Sequence, residues 1–507
     1  MEKKLIAAVV ISTLILIVWS GITKKYYPVG RQSVATKDTA VGSPQQPAIS
    51  SRPETNIDTL IAFDNDRITA HFSEKEAAIW EVVFKKYQNS GFHLKYAFLL
   101  DDNSLAFKKS AMNKDSVSFT AVDKDKRISK IFKFDPKTYG VTLEIIVENT
   151  SLNPIDFRIP LILGEFRASN DSQGRFEKIT VSGQDKIRHP NLRKPAIFTD
   201  TSFISYGDRY FTIITDAQDR MLKAKITPVG QGETEISLLN EKITLLPKQK
   251  EIFKYNAYVG PQDLKIITEV KSQWSTVINF GMFDFIAQLL LQMLEFFYRV
   301  GHNWGIAIIL LSIAIYFILF PLSLKQIKSM RQMQELQPKI EELRKTYKDN
   351  PQRLNKEIME LYRRYKINPL GGCLPVLLQI PVFFALYQVL IRSVALKGAE
   401  FLWIKDLSIP DKIISLPGTY PLIGNSINLL PIFMSVSMFF QQKLSSTTQM
   451  STSSEQQKMM QILFPIIFVF IFYNMPAGLV LYWLVNNVLM LLQQLRMNRI
   501  SKAATVS

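Results

Sequence analysis

The chain has 507 residues, with 61 Lys and Arg against 44 Asp and Glu and a formal charge of +17, which excludes an acidic or collagen-like polymer. Its apolar fraction of 47% is ordinary for a globular protein, but the apolar residues gather in a few long runs between charged stretches. A single cysteine, Cys373, excludes an internal disulfide and a Cys-built zinc site, and the four scattered histidines (His71, His93, His189, His302) form no HxH or HxxxH pair. No metal and no cofactor is expected.

Met1-Glu2-Lys3-Lys4 precedes an apolar run from Leu5 to about Ile22, followed by Lys24-Lys25. Residues 1–22 read as a spanning helix with a cytoplasmic N-terminus. A cleaved signal peptide fits the same run, with Val18 and Ser20 at the −3 and −1 positions. Under either reading the chain beyond this run is exported. Residues 23–56 are rich in Ser, Thr, Pro, Gln and Gly without a hydrophobic period, the composition of a flexible tether.

Residues 57–270 change character. Val141, Leu143, Ile145 and Val147 alternate with Thr142, Glu144 and Glu148, the period of a strand with one buried face. Similar runs recur at 116–122, 128–134, 210–215 and 236–246 between turn residues such as Asn153-Pro154 and Pro247. The many strands predict an all-β sandwich. It holds no nucleophile motif, phosphate loop or acid cluster, so it reads as a binding platform or spacer.

Residues 280–300 place Gln288, Gln292, Glu295 and Arg299 on one stripe of an otherwise apolar helix. Such a helix lies in a membrane interface, the alternative being a soluble packing helix. Five apolar runs come after it, at about 304–322, 372–391, 427–442, 461–475 and 477–495. With the first helix they make six spans, two of them short, with Pro375, Pro381, Pro431, Pro465 and Pro476 within or at the edge of several. Between 323 and 368 twelve bases face six acids, and Arg496, Arg499 and Lys502 come after the last run. By the positive-inside rule both segments are cytoplasmic, with both termini inside and the β domain outside.

None of the five later runs contains an Asp, Glu, Lys, Arg or His. Ion-coupled pumps and intramembrane proteases keep such groups, so proton-driven transport and intramembrane hydrolysis are disfavoured. A transporter or channel would also need a through-path and usually internal repeats, and none is visible. What remains is mild polarity: Ser312, Tyr316, Gln379, Gln388, Asn474, and the stripe Tyr482, Asn486 and Gln493. Such residues can line a wet groove or simply hydrogen-bond neighbouring helices. In the cytoplasmic segment 324–367, Leu336, Ile340, Leu343 and Tyr347 repeat as Leu354, Ile358, Leu361 and Tyr365 across the breaker Asp349-Asn350-Pro351. Two matched stripes around a turn predict an antiparallel helical hairpin. Its basic outer faces either attract acidic headgroups or RNA-bearing particles, or only enforce topology.

A set of ordered motifs within residues 280–500 resembles a known family. Asn303-Trp304-Gly305 opens the second span and Pro321-Leu322 closes it. Leu336-Gln337-Pro338-Lys339-Ile340 lies in the hairpin, and Asn368-Pro369-Leu370-Gly371-Gly372-Cys373 and Gln379-Ile380-Pro381-Val382-Phe383 mark the third span. Leu402-Trp403-Ile404-Lys405-Asp406-Leu407-Ser408 and Pro476-Ala477-Gly478-Leu479-Val480-Leu481-Tyr482-Trp483 complete the set. These are similar to the YidC-type membrane protein insertases (YidC/Oxa/Alb family). The exported part resembles, more weakly, the β-supersandwich of the Gram-negative type with its large periplasmic domain.

The resemblance implies a multi-pass inner-membrane protein with an uncleaved anchor helix and residues 23–300 periplasmic. A five-helix insertase core would occupy 301–500, with the hairpin and the basic tail 501–507 in the cytoplasm. It implies an insertase and chaperone for nascent membrane proteins rather than an enzyme. The implied partners are those nascent chains, the Sec translocon, membrane lipids and the ribosome (through the basic hairpin and tail), and not DNA. Its hydrophilic groove would be lined here by Ser312, Tyr316, Gln379, Tyr482 and Asn486, while a client helix leaves along the third and fifth spans. One departure stands out. Many members carry an arginine five residues before the closing Pro-Leu, where this chain has Tyr316. A phenol hydrogen-bonds but carries no positive charge.

Overall fold

The computed structural model describes residues 60–506 except 103, 159, 168–173, 184–185, 219–220, 231, 240, 349, 368–373, 421–423 and 447–453. The anchor run, the tether and the Asn368–Cys373 motif therefore lie outside the described residues. Two compact units divide the chain at Val277 and Ile278.

The first unit is built from antiparallel strands. Nine pair in one sheet, whose central members are Phe211–Ala217, Lys250–Pro261, Gly140–Asn149, Lys126–Phe134 and Ser116–Val122. In Gly140–Asn149 the odd-numbered Val141, Leu143, Ile145 and Val147 are buried while their neighbours are half-exposed, as period-2 alternation requires. A four-stranded sheet (Leu60–Asp64, Ile68–Ser73, Ala78–Phe84, Ser90–Ala97) and a five-stranded sheet that includes Pro160–Arg167 pack against it. Stacked rings join the layers: Phe84 on Phe211 at 4.4 Å and Phe166 on Tyr206 at 3.8 Å between centroids. The expected run 236–246 is two strands, Glu233–Leu239 and Ile243–Leu245, because the polar pair Glu241-Lys242 interrupts the apolar pattern between them.

One cation sits inside this sandwich. Lys130 is fully buried, donates to the carbonyls of Ala77 and Phe98, and lies 5.4 Å from the Phe132 ring centroid. Burial pulls its ammonium well below the usual lysine range. Both carbonyl-bearing residues have left-handed backbone (φ +45° and +64°), so Lys130 pins two strained corners to the large sheet.

The short helix α1 (Leu264–Val270) and the 3-10 turn Ser272–Val277 end the first unit, and the helical second unit begins with α2 (Asp284–Gly301). Then come α3 (Trp304–Glu335), α4 (Gln337–Thr346), α5 (Pro351–Arg364), α6 (Leu374–Arg392), α7 (Leu430–Ser446), α8 (Ser454–Phe472) and α9 (Ala477–Val506). Pro321 does not end its helix: α3 continues through it to Glu335. Membrane helices tolerate such a proline when neighbours meet the freed carbonyl. Among the described residues, 304–324 and 477–497 are long and apolar enough to cross a membrane, and Gln379–Arg392 and Ile462–Phe472 are shorter apolar helices.

Where α4 meets α5, Leu336, Ile340, Tyr362 and Ile367 form a buried cluster, with Met333 from the end of α3 and Ile358 and Leu361 of α5 packed against it. Asn350 caps α5 by accepting from the Arg353 amide, with Pro351 in the first turn. Tyr362 is the buried aromatic of this pair. Tyr365, expected on the apolar stripe, is exposed beside Lys339, because the helix ends at Arg364 and its next residue turns outward.

Candidate functional site

The helical unit converges on a network of caps that explains several motif residues. Asn303 accepts from the Gly305 and Ile306 amides, starting α3, and donates to the Glu400 carbonyl. Trp304 stacks on Tyr298 at 4.0 Å, closing the corner between α2 and α3. Gly305 leaves room for Phe401, whose ring and Cβ would lie 2.1–2.6 Å from any added Cβ. At the start of α9, the Ala477 and Gly478 amides donate to the carbonyls of Ile409 and Leu407. The loop 393–429 is thus stitched to the ends of α3 and α9.

Asp411 is the centre of that loop. Buried, it accepts from the Leu429 and Leu430 amides at 2.9 Å each and from Trp403 Nε1 at 3.3 Å. It therefore caps α7 from a position far upstream of the helix in sequence. Asn428 beside it accepts from the Lys412 amide and donates to the Tyr473 carbonyl. An Asp411→Ala substitution is expected to cost about 1–2 kcal/mol, the loss of one good cap. Thermal unfolding of the variant in detergent checks this, and an unchanged midpoint would contradict it.

The five candidate groove residues fall on three helices. Tyr316 on α3 is half-buried and donates to Gln493 Oε1 on α9 at 3.0 Å. Gln379 on α6 donates through Nε2 to the hydroxyl of Tyr482 on α9 at 2.7 Å. Tyr482 is fully buried. So α9 carries the partner of both cross-helix pairs. Ser312 and Asn486 are different: Ser312 Oγ donates to the Ile308 carbonyl and Asn486 Nδ2 to the Tyr482 carbonyl, each one turn back in its own helix. Both are buried. The structure joins Gln379 to Tyr482 and gives Tyr316 a partner outside the five, Gln493.

Further side-chain atoms of α6 and α9 lie buried without a hydrogen-bond partner among the described residues: Gln388 Oε1 and Arg392 Nε on α6, and Trp483 Nε1, Asn487 Nδ2 and Gln493 Nε2 on α9. From the sequence, Trp483 stands out only as part of the Pro476–Trp483 motif, and Asn487 not at all. Their signal was adjacency, since Tyr482-Trp483 and Asn486-Asn487 put polar atoms on neighbouring faces of one helix. Beside them an apolar wall forms where Phe383 of α6, Phe472 of α8 and Trp483 of α9 meet, at 5.1 and 5.4 Å from the indole. The outer surfaces of α7 and α8 expose Ile432, Phe433, Val436, Ile462, Ile466 and Phe470. Such a surface suits lipid. Among the described residues no group of His, Cys, Asp or Glu could hold a metal ion.

Known proteins resemble both parts of the chain, with the boundary between the two family matches falling inside α2. Residues 296–504 match the family described as 60Kd inner membrane protein, and residues 101–293 match the YidC periplasmic domain. A protein of Geotalea daltonii called membrane protein insertase YidC is 31% identical over 98% of this chain and 99% of its own length. Its namesake in Syntrophobacter fumaroxidans is 35% identical over 74% of this chain and 68% of its own. Among solved structures, an active YidC insertase with its first transmembrane domain resolved aligns over 95% of this chain and 98% of its own, at 19% identity and TM-score 0.39. YidC from Thermotoga maritima aligns over 85% and 98%, at 14% identity and TM-score 0.33.

Proposed function

The chain belongs to the YidC family of membrane protein insertases, and on that premise we propose that it inserts nascent proteins through an uncharged groove between α3, α6 and α9. It is an inner-membrane insertase and not an enzyme. In this reading six helices span the membrane: residues 1–22 as an anchor, then the apolar parts of α3, α6, α7, α8 and α9. Both termini and the α4–α5 hairpin are cytoplasmic. The tether 23–56 and the β domain 57–270 are periplasmic, α2 lies in the interface, and 301–500 is the working core. The tail 501–507 and the basic hairpin are where a ribosome would meet the protein, and the Sec translocon is a second partner.

The observation that carries the groove is the polar equipment of α9. Tyr482 and Gln493 hold the two cross-helix pairs, while Asn487 and Gln493 keep buried donors without a partner. An unmet polar group in hydrocarbon costs several kcal/mol. A client's polar terminus or loop entering here supplies acceptors to those donors, and water does so between clients. The client's apolar helix then leaves along α6 and α8. Positive charge plays no part at Tyr316, so wetness and a short dry path carry the effect. Ser312 and Asn486, bonded to their own helices, shape the wall and hold the backbone.

Proteoliposomes containing this chain and no other protein are expected to insert a short single-span client. Insertion no better than in protein-free liposomes would overturn the reading. Deleting residues 57–265 is expected to leave most of that activity in the same assay, and complete loss would make the β domain the working part.

A further inference from the structure

Between α6 and α7 the chain forms a two-stranded hairpin, Ile414–Tyr420 paired with Gly424–Ile427. It was not expected from the sequence, and the insertion reading gives it no role. Its composition is unusual for a loop. From 413 to 442 there is no Asp, Glu, Lys, Arg or His, and the stretch is bracketed by Lys412 and Lys443. Within it the hairpin and the start of α7 are continuous, so one uncharged surface runs from loop to span.

Most of its large exposed side chains are apolar, with Ser415 and Asn425 as exposed polar neighbours. Ile413, Ile414 and Tyr420 are 42%, 53% and 49% exposed, and Leu402, on the same loop, is 76% exposed. Phe433, one turn into α7, is 43% exposed and meets the Trp403 ring edge-on at 6.0 Å. The base of the hairpin is rigid. The Ile413 amide donates to the Ile427 carbonyl, Tyr473 of the α8–α9 turn donates its hydroxyl to the Ser426 carbonyl, and Asn428 and Asp411 fix the rest. The apolar side chains are therefore held out on a fixed arm.

We propose that this hairpin is a membrane anchor, lying in the lipid interface at the N-terminal end of α7. Continuity with the exposed face of α7 argues for lipid: Ile432, Phe433, Val436 and Phe440 extend the same apolar surface into the span. Tyr420 and Trp403 supply the aromatic side chains that settle at headgroup level. A partner strand is the poorer occupant. Pro417 has no N–H to offer, and the ladder shifts register between Ser415 and Tyr420, so neither edge presents a regular row of donors and acceptors. The anchor would fix the height of the loop 393–429, and through its bonds to the starts of α3 and α9, the depth of the core in the bilayer. The proposal rests on the reading of α7 as a span.

The test uses the full chain in lipid nanodiscs, with Cys373→Ser as background and single nitroxide labels at Ile414→Cys, Tyr420→Cys, Phe433→Cys and Lys405→Cys. Collision rates with oxygen, which partitions into lipid, are compared with those of a water-soluble nickel chelate. The oxygen-to-nickel ratio at 414 and 420 is expected to stand severalfold above that at 405 and to approach that at 433. A water-like ratio at 414 and 420 with a lipid-like ratio at 433 overturns the anchor and leaves the span intact. Exclusion of both probes at 414 and 420 also overturns it, since protein would then cover the hairpin. A water-like ratio at 433 itself fails the reading of α7 as a span, and the anchor with it.

Discussion

Replacing Asp216 by alanine is expected to destabilise the β unit by about 2–3 kcal/mol, because the fully buried Trp274 indole loses its charged acceptor while Lys271, over a third exposed, turns to water. The Asp216 carboxylate, almost fully buried on the strand Phe211–Ala217, accepts from Lys271 Nζ at 2.6 Å and Trp274 Nε1 at 3.1 Å. Asn256 Nδ2, from the neighbouring strand, donates to it at 3.1 Å. Lys271 ends α1 and Trp274 lies in the 3-10 turn Ser272–Val277, so two of these bonds fasten the last turns of the unit to its largest sheet, and the third ties two strands within that sheet. Trp274 is fully buried but is one of six tryptophans. Denaturant unfolding of the full chain in detergent is therefore followed by the β-sheet circular dichroism signal, which measures the loss. Asp216→Asn, which keeps an acceptor but not the charge, is expected to lose less than the alanine variant. Equal losses would show that packing rather than the carboxylate is what holds the turn.

The second large effect is on insertion. Tyr316→Phe with Gln379→Leu removes one side of each cross-helix pair and leaves Gln493 and Tyr482 with one partner fewer. Hydrogen bonds between membrane helices average about 0.6 kcal/mol and reach about 1.7. Two such losses at the groove correspond to roughly tenfold slower insertion, since ~1.4 kcal/mol is a factor of ten. The client-insertion rate in proteoliposomes is the readout, with thermal unfolding as control for folding. Full activity in the double variant would count heavily against an uncharged polar groove.

How much of this was legible beforehand differs between the two units. The β unit showed its period plainly, because each strand of the large sheet buries one face only, and Val141, Leu143, Ile145 and Val147 therefore alternate. The helical unit was legible in its apolar runs but less so at their ends. Helix ends depend on caps that arrive from elsewhere in the chain, as Asp411 caps α7, and no local pattern announces them. The hairpin at Ile414–Ile427 was hidden for a related reason: with apolar side chains exposed rather than buried on one face, it has no reason to alternate. Of the candidate site, residue type made the polar side chains visible but not their partners: Tyr316, Gln379 and Tyr482 bond across helices, whereas Ser312 and Asn486 bond within their own. Gln493 as the partner of Tyr316, and the unpartnered Asn487, required coordinates.

The central claim is that a client's polar segment passes against α3 at Tyr316. A photoreactive residue at position 316, tested in inverted vesicles against ribosome-stalled membrane proteins of increasing length, addresses it directly. Crosslinks confined to short, mid-insertion chains are the expected result. No crosslink at 316, with strong ones from α6 and α8, would contradict the groove and leave the outer surfaces of those two helices as the working part.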